Sequence, residues 1–319
     1  MKDMKVLITG SAGFIGHYLA KRFLDKGHHV YGIDSLSNDK KISIKRNLLL
    51  KKYRKYKFLK TDLSKNRNFF TNINFNLVIH LAAQPGVRIS MEKPFKCIES
   101  NILAFTNILE FMRKQKNKTI FYASSSTVYG DEKSNFDEKK ITRYPKSIYA
   151  MTKISNELMA NLYHKEYKIN LVGLRFFSIY GRYGRTDMSY FKFLNDINKK
   201  KEINLYGDGS IKRSFTHIDD AIEIIELLTK KFRKKKKFNE IFNVGSNKSI
   251  KMSQIIELIK NNYNKSFKVR HFKKKNVDSL ITKSSNKKVL KYINYSPKIN
   301  INYGLSDFIN WYKNEYSKK

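Results

Sequence analysis

The chain is expected to be an α/β protein: a Rossmann-like doubly wound parallel sheet with a smaller mixed α/β substrate lobe. Short apolar runs alternate with helical patterns through the first half. A glycine triplet joins the first such run to the first helical pattern. A length of 319 residues accommodates one large α/β unit with an appended lobe.

Val6-Leu7-Ile8 reads as the first strand. Phe14 to Lys26 then repeats at helical spacing, with Phe14, Leu19, Phe23 and Leu24 toward the core. Val30 to Ile33 is a second strand ending in Asp34, and residues 35–57 are a basic loop with one helix. Leu77 to Leu81 is a buried strand flowing into Ala82-Ala83. Residues 98–113 fit one amphipathic helix, Ile120 to Ala123 a strand, 149–165 a helix and Asn170 to Phe177 the next strand. This alternation calls for right-handed crossovers between parallel strands. Later segments are less regular: a helix at Tyr190 to Asn198, a strand at Ile203 to Tyr206, a helix after Thr216 capped by Asp219 or Asp220, and a strand at Ile241 to Gly245. A helix from Ser253 and a closing helix at Leu305 to Tyr316 complete the chain. The expected division is 1–177 plus about 215–248 for a dinucleotide domain, and 178–214 plus 249–319 for the substrate lobe.

Composition excludes several classes. Hydrophobic residues make up 41%, far above a disordered chain. No apolar run of about 18 residues offers a membrane span. The single cysteine, Cys97, cannot form an internal disulfide, and no signal peptide opens the chain, so a cytoplasmic setting is expected. The net charge of +38 would ordinarily raise nucleic-acid binding. Here the lysines are spread along the chain, with clusters at residues 51–57, 233–237 and 273–275, and no nucleic-acid-binding motif accompanies them. A solvated face that attracts anions is the expectation, with no specific nucleic-acid partner.

The candidate chemistry lies at the expected strand ends. Gly10-Ser11-Ala12-Gly13-Phe14-Ile15-Gly16 follows a strand and opens a helix. Such glycines allow a tight turn, close approach of backbone to a pyrophosphate, and helix-on-strand packing. The spacing is G-x-x-G-x-x-G rather than G-x-G-x-x-G. Asp34, at the end of the second strand, suits a ribose 2′-hydroxyl and would repel a 2′-phosphate, which favours NAD over NADP. Asp62, before Leu63, reads either as a cap or as an adenine contact. Tyr149 and Lys153 stand one helical turn apart and share a face. Other Tyr-x-x-x-Lys matches occur, at Tyr53/Lys57 for instance, and position selects this one. It opens a helix shortly after Ser125, just past a strand end, where ligands of parallel sheets gather. A lysine ammonium beside a tyrosine favours the phenolate, a usable base. Ser124 to Thr127 place several hydroxyls at the same strand end, as a turn cluster or as a relay to a sugar hydroxyl.

In their order, Gly10 to Gly16, His80-Leu81-Ala82-Ala83, Ser124 to Gly130 and Tyr149-x-x-x-Lys153 resemble the extended short-chain dehydrogenase/reductase superfamily. Arg175-Phe176-Phe177 and Arg213-x-Phe215-x-x-Ile218-x-Asp220 are similar to its nucleotide-sugar branch, and the likeness covers essentially the whole chain. Gln84 to Arg88 and Gly181 to Met188, followed by Phe191-Lys192-Phe193, most resemble the subgroup that inverts C4 of UDP-glucuronate. The resemblance implies a fold holding NAD, with Asp62, Leu63, Leu81, Ala82 and Ala83 near the cofactor. It implies Ser125, Tyr149 and Lys153 as catalytic residues. A 4-keto sugar would form as hydride leaves C4, turn about its diphosphate linkage, and receive the hydride on its other face. Ser126, Thr127 and Ser178 then match positions near the hexose carboxylate. Arg88 and Arg185 become anion partners, Arg213 a diphosphate ligand, and Phe191, Lys192 and Tyr206 part of the nucleotide enclosure. Relatives that eliminate water or carbon dioxide carry a carboxyl residue where Ser126-Thr127 stand, which disfavours those reactions. The implied assembly is a homodimer through helices 98–113 and 149–165, serving polysaccharide biosynthesis. UDP-glucose or UDP-N-acetylglucosamine epimerisation, or sugar-nucleotide reduction, are the alternatives. A nucleotide-binding regulator without catalysis is a further one, against which the Ser125, Tyr149 and Lys153 set argues.

Overall fold

The computed structural model describes residues 3–131, 136–142, 144–263, 265–273 and 281–318. Two compact units divide the chain: Met1–Gly130, Ile141–Phe176 and Ile225–Phe242 form the first, and Asp131–Lys140, Phe177–Ile224 and Asn243–Lys319 the second.

In the first unit the elements run β1 (Lys5–Thr9), α1 (Phe14–Asp25), β2 (His29–Asp34), α2 (Lys40–Lys51), β3 (Tyr56–Lys60) and β4 (Leu77–His80). Then come α3 (Val87–Glu92), α4 (Pro94–Ile98), a π turn (Glu99–Leu103), α5 (Ala104–Arg113), β5 (Thr119–Ser125), a 3-10 turn (Ser126–Tyr129), α6 (Ile148–Tyr167) and β6 (Asn170–Phe176). One seven-stranded sheet orders them as 3-2-1-4-5-6, with a strand at Asn239–Val244 beyond β6. All pairings among β1 to β6 are parallel. Because β1 pairs with both β2 and β4, the strand order reverses there, and ligands of such sheets bind beyond the carboxyl ends at that reversal. Register brings Thr9 level with His80, and His80 level with Tyr122. The glycine loop, Leu81 to Ala83 and the turn that follows Ser125 therefore leave the sheet on the same side. At the other edge β3 exposes Lys57 and Lys60.

Leu7, Ile33, Val78, Phe105, Ile108, Leu109, Met112, Ile120 and Tyr122 are buried in one cluster under the sheet. Removing such side chains from water stabilises the fold by roughly 1.5–3 kcal/mol each. The helix expected over 98–113 is instead α4, the π turn and α5. Ala104 N–H donates to Glu99 C=O, five residues back, so the turn holds one residue more than an α-turn.

The second unit contains β7 (Ser178–Tyr180), α7 (Ser189–Asn198), β8 (Ile203–Tyr206), β9 (Lys212–Arg213), β10 (Phe215–His217) and the start of α8 (Ile218–Phe232). After β11 (Asn239–Val244) come β12 (Ile250–Lys251), α9 (Met252–Asn262), β13 (Val269–Phe272), α10 (Lys287–Ile293), α11 (Ile301–Trp311) and a π turn (Tyr312–Tyr316). Its strands form three two-stranded sheets, β10-β7, β12-β9 and β13-β8. Asp219 and Asp220 lie in the first turn of α8 rather than capping it. Asp220 instead accepts hydrogen bonds from the Tyr295 hydroxyl (2.6 Å) and the Lys298 and Ile299 N–H groups (3.0 and 2.9 Å). It thereby fixes the approach to α11, a tie between distant residues that local spacing does not reveal. Among the described residues no helix is long and apolar enough to cross a membrane.

Ile108 is fully buried on α5. Ile108→Ala is expected to cost about 2–5 kcal/mol, read as a lower urea midpoint with an unchanged slope.

Candidate active site

Backbone geometry shapes the glycine loop. Gly10 has φ +70°, and a Cβ there would stand 2.8 Å from the Ala82 nitrogen. A Cβ on Gly16 would stand 2.0 Å from the Gly10 carbonyl oxygen, so α1 packs directly on the loop. Gly10 N–H donates to Ile33 C=O (2.7 Å), tying the loop to β2. Gly13 is the N-cap of α1, with no side-chain cap and no acid in the first turn. The helix thus presents uncapped N–H groups and the positive end of its dipole, a setting that suits a phosphate.

Asp34 ends β2 beside this loop. Its Oδ2 accepts the Ala12 N–H (3.1 Å) and its Oδ1 the Leu36 N–H (2.8 Å). Burial raises its pKa, opposed by those bonds and by the Arg46 charge. Arg46, on α2, is itself buried and donates to Ala12 C=O (3.1 Å). Ala82 N–H donates to Thr9 Oγ1 (3.2 Å), which also bonds His80 Nδ1 (2.8 Å). Leu81 and Ala82 thus pass close to Gly10, and with Ala83 they are half-buried. Phe14 is buried at the start of α1, Ile15 half-buried and Leu63 buried. Asp62 caps a turn through Ser64, whose N–H and hydroxyl it accepts at 2.9 and 2.7 Å. A glycine cradle under an uncapped helix, flanked by an acceptor at the second strand end, fits a dinucleotide with a free 2′-hydroxyl.

At the end of β5, Ser125 Oγ accepts the Thr127 N–H (3.2 Å) and hydroxyl (3.0 Å), which leaves the Ser125 proton to be donated elsewhere. Ser126 and Thr127 follow in the 3-10 turn, half-buried. Ser147 caps α6 by accepting the Ala150 N–H (3.1 Å), so the helix starts in time to put Tyr149 in its first turn. Tyr149 N–H donates to Ser90 Oγ (3.0 Å) of α3. Lys153 Nζ lies 5.7 Å from the centre of the Tyr149 ring and donates to Ala123 C=O (2.9 Å). Burial pushes the Lys153 pKa down to about 8, with Cys97 and Glu157 opposing the shift. Ser125, Tyr149 and Lys153 are thus brought together in the first unit, where Arg88 also lies, on α3.

The remaining predicted residues belong to the second unit. Ser178 is on β7, its N–H bonded to Ser214 C=O (3.2 Å). Arg185 is held by Asp187 through two bonds, Nε to Oδ1 (2.9 Å) and Nη2 to Oδ2 (2.6 Å). Lys192, exposed on α7, adds to the positive field at Asp187. Tyr206 ends β8 against the Phe272 ring, and Arg213 lies on β9 with Nη1 donating to Lys212 C=O. Phe191 is fully buried among Phe308, Trp311, Tyr312 and Tyr316. Its ring belongs to the core, which leaves its backbone as its available contact.

Polar residues beyond those expected also surround the site. Asn101, on the π turn, is fully buried and receives the Gln84 N–H (2.7 Å) while its amide reaches Thr152 Oγ1 (3.0 Å). Helical periodicity across 98–113 carries no sign of the extra residue that sets its direction. Arg46 gave no signal within a basic stretch. Glu157 has a visible signal, standing four residues after Lys153.

The Lys153 shift carries a sign. Its pKa falls from 10.5 to about 8 on folding, so the fold is penalised wherever the lysine must be charged, below about pH 8. The penalty lifts as pH rises from there toward the unfolded value. Lys153→Met is expected to raise the urea midpoint of the cofactor-free protein at pH 7, and the gain should shrink by about pH 10.

Residues 6–245 match the model of the NAD dependent epimerase/dehydratase family. The chain is 42% identical over 321 residues to an uncharacterized protein of Methanocaldococcus jannaschii, covering 98% of this chain and 97% of the relative. It is 36% identical over 315 residues to a UDP-glucuronate 4-epimerase of Thermodesulfobacterium geofontis, covering 96% and 95%. In structure it resembles the UDP-glucuronic acid 4-epimerase of Bacillus cereus, solved with UDP-glucuronic acid and NAD, with a TM-score of 0.92 at 29% identity over 98% of this chain and 100% of that one. A match that runs from the first strand to the end of β11, with relatives alike along nearly their whole length, means that the chain belongs to the NAD dependent epimerase/dehydratase family.

Proposed function

We propose that the protein is an NAD-dependent epimerase that inverts C4 of a UDP-hexose, converting UDP-glucuronate to UDP-galacturonate. The observation that carries this reading is the grouping of Ser125, Tyr149 and Lys153 at the sheet end that bears the glycine cradle and Asp34. The cradle holds the dinucleotide diphosphate, with Gly10, Gly13, Phe14, Ile15 and Gly16 at the phosphates. Asp34 accepts the adenosine ribose hydroxyls, and Asp62, Leu63, Leu81, Ala82 and Ala83 line the rest. Bound NAD+ supplies a hydride acceptor at C4 and, once reduced, a hydride donor to the same carbon.

The chain's own residues manage the proton. Tyr149 as phenolate takes the proton of the sugar 4-hydroxyl and later returns it. The Lys153 ammonium stabilises that phenolate. Ser125 donates its free hydroxyl proton to the sugar oxygen, stabilising charge as it develops. Ser126, Thr127 and Ser178 bind the hexose carboxylate, and Arg213 the diphosphate. Arg88 and Arg185 are further anion partners; Asp187 already orients the Arg185 guanidinium. Lys192, Tyr206 and the Phe191 backbone enclose the nucleotide. The likeness to UDP-glucuronate 4-epimerases supports the uronate over UDP-glucose or UDP-N-acetylglucosamine. The product would feed polysaccharide biosynthesis, and the cytoplasm, where Cys97 stays a thiol, is the expected location.

We infer a homodimer through the helical run 98–113 and α6. Ile98 is 36% exposed, Leu103 38%, Leu158 61% and Leu162 55%. Such apolar groups on adjoining helices are a surface that pairing would cover. Changing Leu158 and Leu162 together to lysine is expected to halve the mass seen by sedimentation; a dimer that persists would remove these helices as its interface.

The central test is an NMR time course of the purified protein with UDP-glucuronate and no added cofactor. Appearance of UDP-galacturonate is the expected result. An unchanged sugar, also with NAD supplied, would turn the substrate assignment to UDP-glucose and UDP-N-acetylglucosamine, run in the same format. Tyr149→Phe should lower turnover by roughly 10²–10⁴-fold while NAD content stays near wild type. Near-normal turnover in that variant would eliminate Tyr149 as the base.

A further inference from the structure

Lys153 and Glu157 stand four residues apart on α6, share a face and are both buried. They hold consecutive residues of β5: Lys153 Nζ donates to Ala123 C=O (2.9 Å), and Ser124 Oγ donates to Glu157 Oε1 (2.6 Å). The next residue is Ser125, the last of the strand. Glu157 is braced in turn by Arg175 on β6, Nε to Oε1 (2.9 Å) and Nη2 to Oε2 (2.8 Å). Arg175 is in register with Ser124, and its guanidinium lies 4.8 Å from the ring centre of Tyr129. Tyr129 closes the turn that carries Ser126 and Thr127. One carboxylate therefore links α6, β5 and β6 at the place where the strand hands over to the catalytic turn.

A buried Arg–Glu pair is seldom more stabilising than apolar side chains of the same volume. Stability alone is a weak account of its presence beside the site. We propose that Glu157 is a positioning residue for the epimerase reaction: with Lys153 it grips the end of β5 that presents Ser125, and it is the counter-charge of the buried Lys153 ammonium. This rests on the catalytic reading given above.

The groups that bear on Lys153 sharpen the role. On β4, His80 is buried and held neutral, with a pKa pushed down to about 3. On α4, burial raises the Cys97 pKa and favours the neutral thiol. On α6 itself, Tyr149 offers its ring and Glu157 its carboxylate. Arg175, from β6, reaches Lys153 through Glu157. Glu157 opposes the burial that pulls the Lys153 proton off. Replacing that carboxylate with an amide leaves Arg175 unbalanced and drives the Lys153 pKa lower.

The test compares Glu157→Gln and Ser124→Ala in the holoenzyme. The Lys153 midpoint is read by carbon-13 NMR of labelled lysine side chains, its signal identified by loss in Lys153→Met. Glu157→Gln should lower that midpoint by about one unit or more. Its kcat at pH 7 should fall roughly tenfold to a hundredfold, with KM for UDP-glucuronate within about threefold and the alkaline limb of the rate profile displaced in the same direction. Ser124→Ala, which spares the ion pair, should lower kcat about tenfold and leave the Lys153 midpoint in place. A midpoint unmoved in Glu157→Gln, or wild-type kcat in Ser124→Ala, overturns the proposal. If Glu157→Gln does not fold, Ser124→Ala decides the gripping role alone. A wild-type protein that converts no UDP-sugar defeats the epimerase reading instead, while the NMR midpoint still reports on Glu157.

Discussion

The contact between α1 and the Gly10 carbonyl constrains the first unit. With room for no more than a hydrogen on Gly16, the helix enters at one angle and depth. That angle sets where its first N–H groups point. The loop can then lie against Ala82 and bond to Ile33, which joins the ends of β1, β2 and β4. Because β1 is the strand at which the order reverses, this meeting point is also the crevice such a sheet offers a ligand. Asp34, the hydroxyl turn after β5 and the first turn of α6 gain their relevance by opening onto the same end.

Much of this was legible from local chemistry. Glycine at a left-handed turn, a carboxylate at a strand end and a tyrosine one helical turn before a lysine are short-range patterns. The backbone makes them geometric without help from distant residues. Strands β1, β2, β4, β5 and β6 were legible because each is a compact apolar run, whereas β3, whose first residues fall in the stretch expected to be a basic loop, mixes lysines with apolar residues and is a strand only by pairing with β2. Their spatial order was not, since parallel neighbours are separated by whole helices. The extra residue at Glu99–Leu103 was invisible for a related reason. Apolar spacing averages over a helix and does not register one widened turn, so the inward direction of Asn101 went unread.

Phe191 and Glu157 mark the other limit. An aromatic on an amphipathic helix can face a ligand or a core, and periodicity treats both alike; burial among Phe308, Trp311, Tyr312 and Tyr316 decides for the core. Glu157 shows its spacing to Lys153 in the sequence, yet its meaning comes from Ser124 and Arg175, on two different strands. Ion pairs between elements depend on sheet register, here Ser124 opposite Arg175, which no window of neighbouring residues contains.

The lysines of β3 have a physical consequence of their own. An edge strand offers unpaired backbone groups to any strand that reaches it, and chains of this kind can stack edge to edge. Lys57 and Lys60 lie exposed along β3, on a molecule whose net charge is +38. Two such edges approaching each other meet like charges before any ladder can form. That repulsion acts over a Debye length, about 10 Å at 0.1 M salt and about 3 Å at 1 M. The colloidal behaviour of the protein is therefore tied to ionic strength: concentrated salt shortens the range over which the sheet edge keeps its neighbours away.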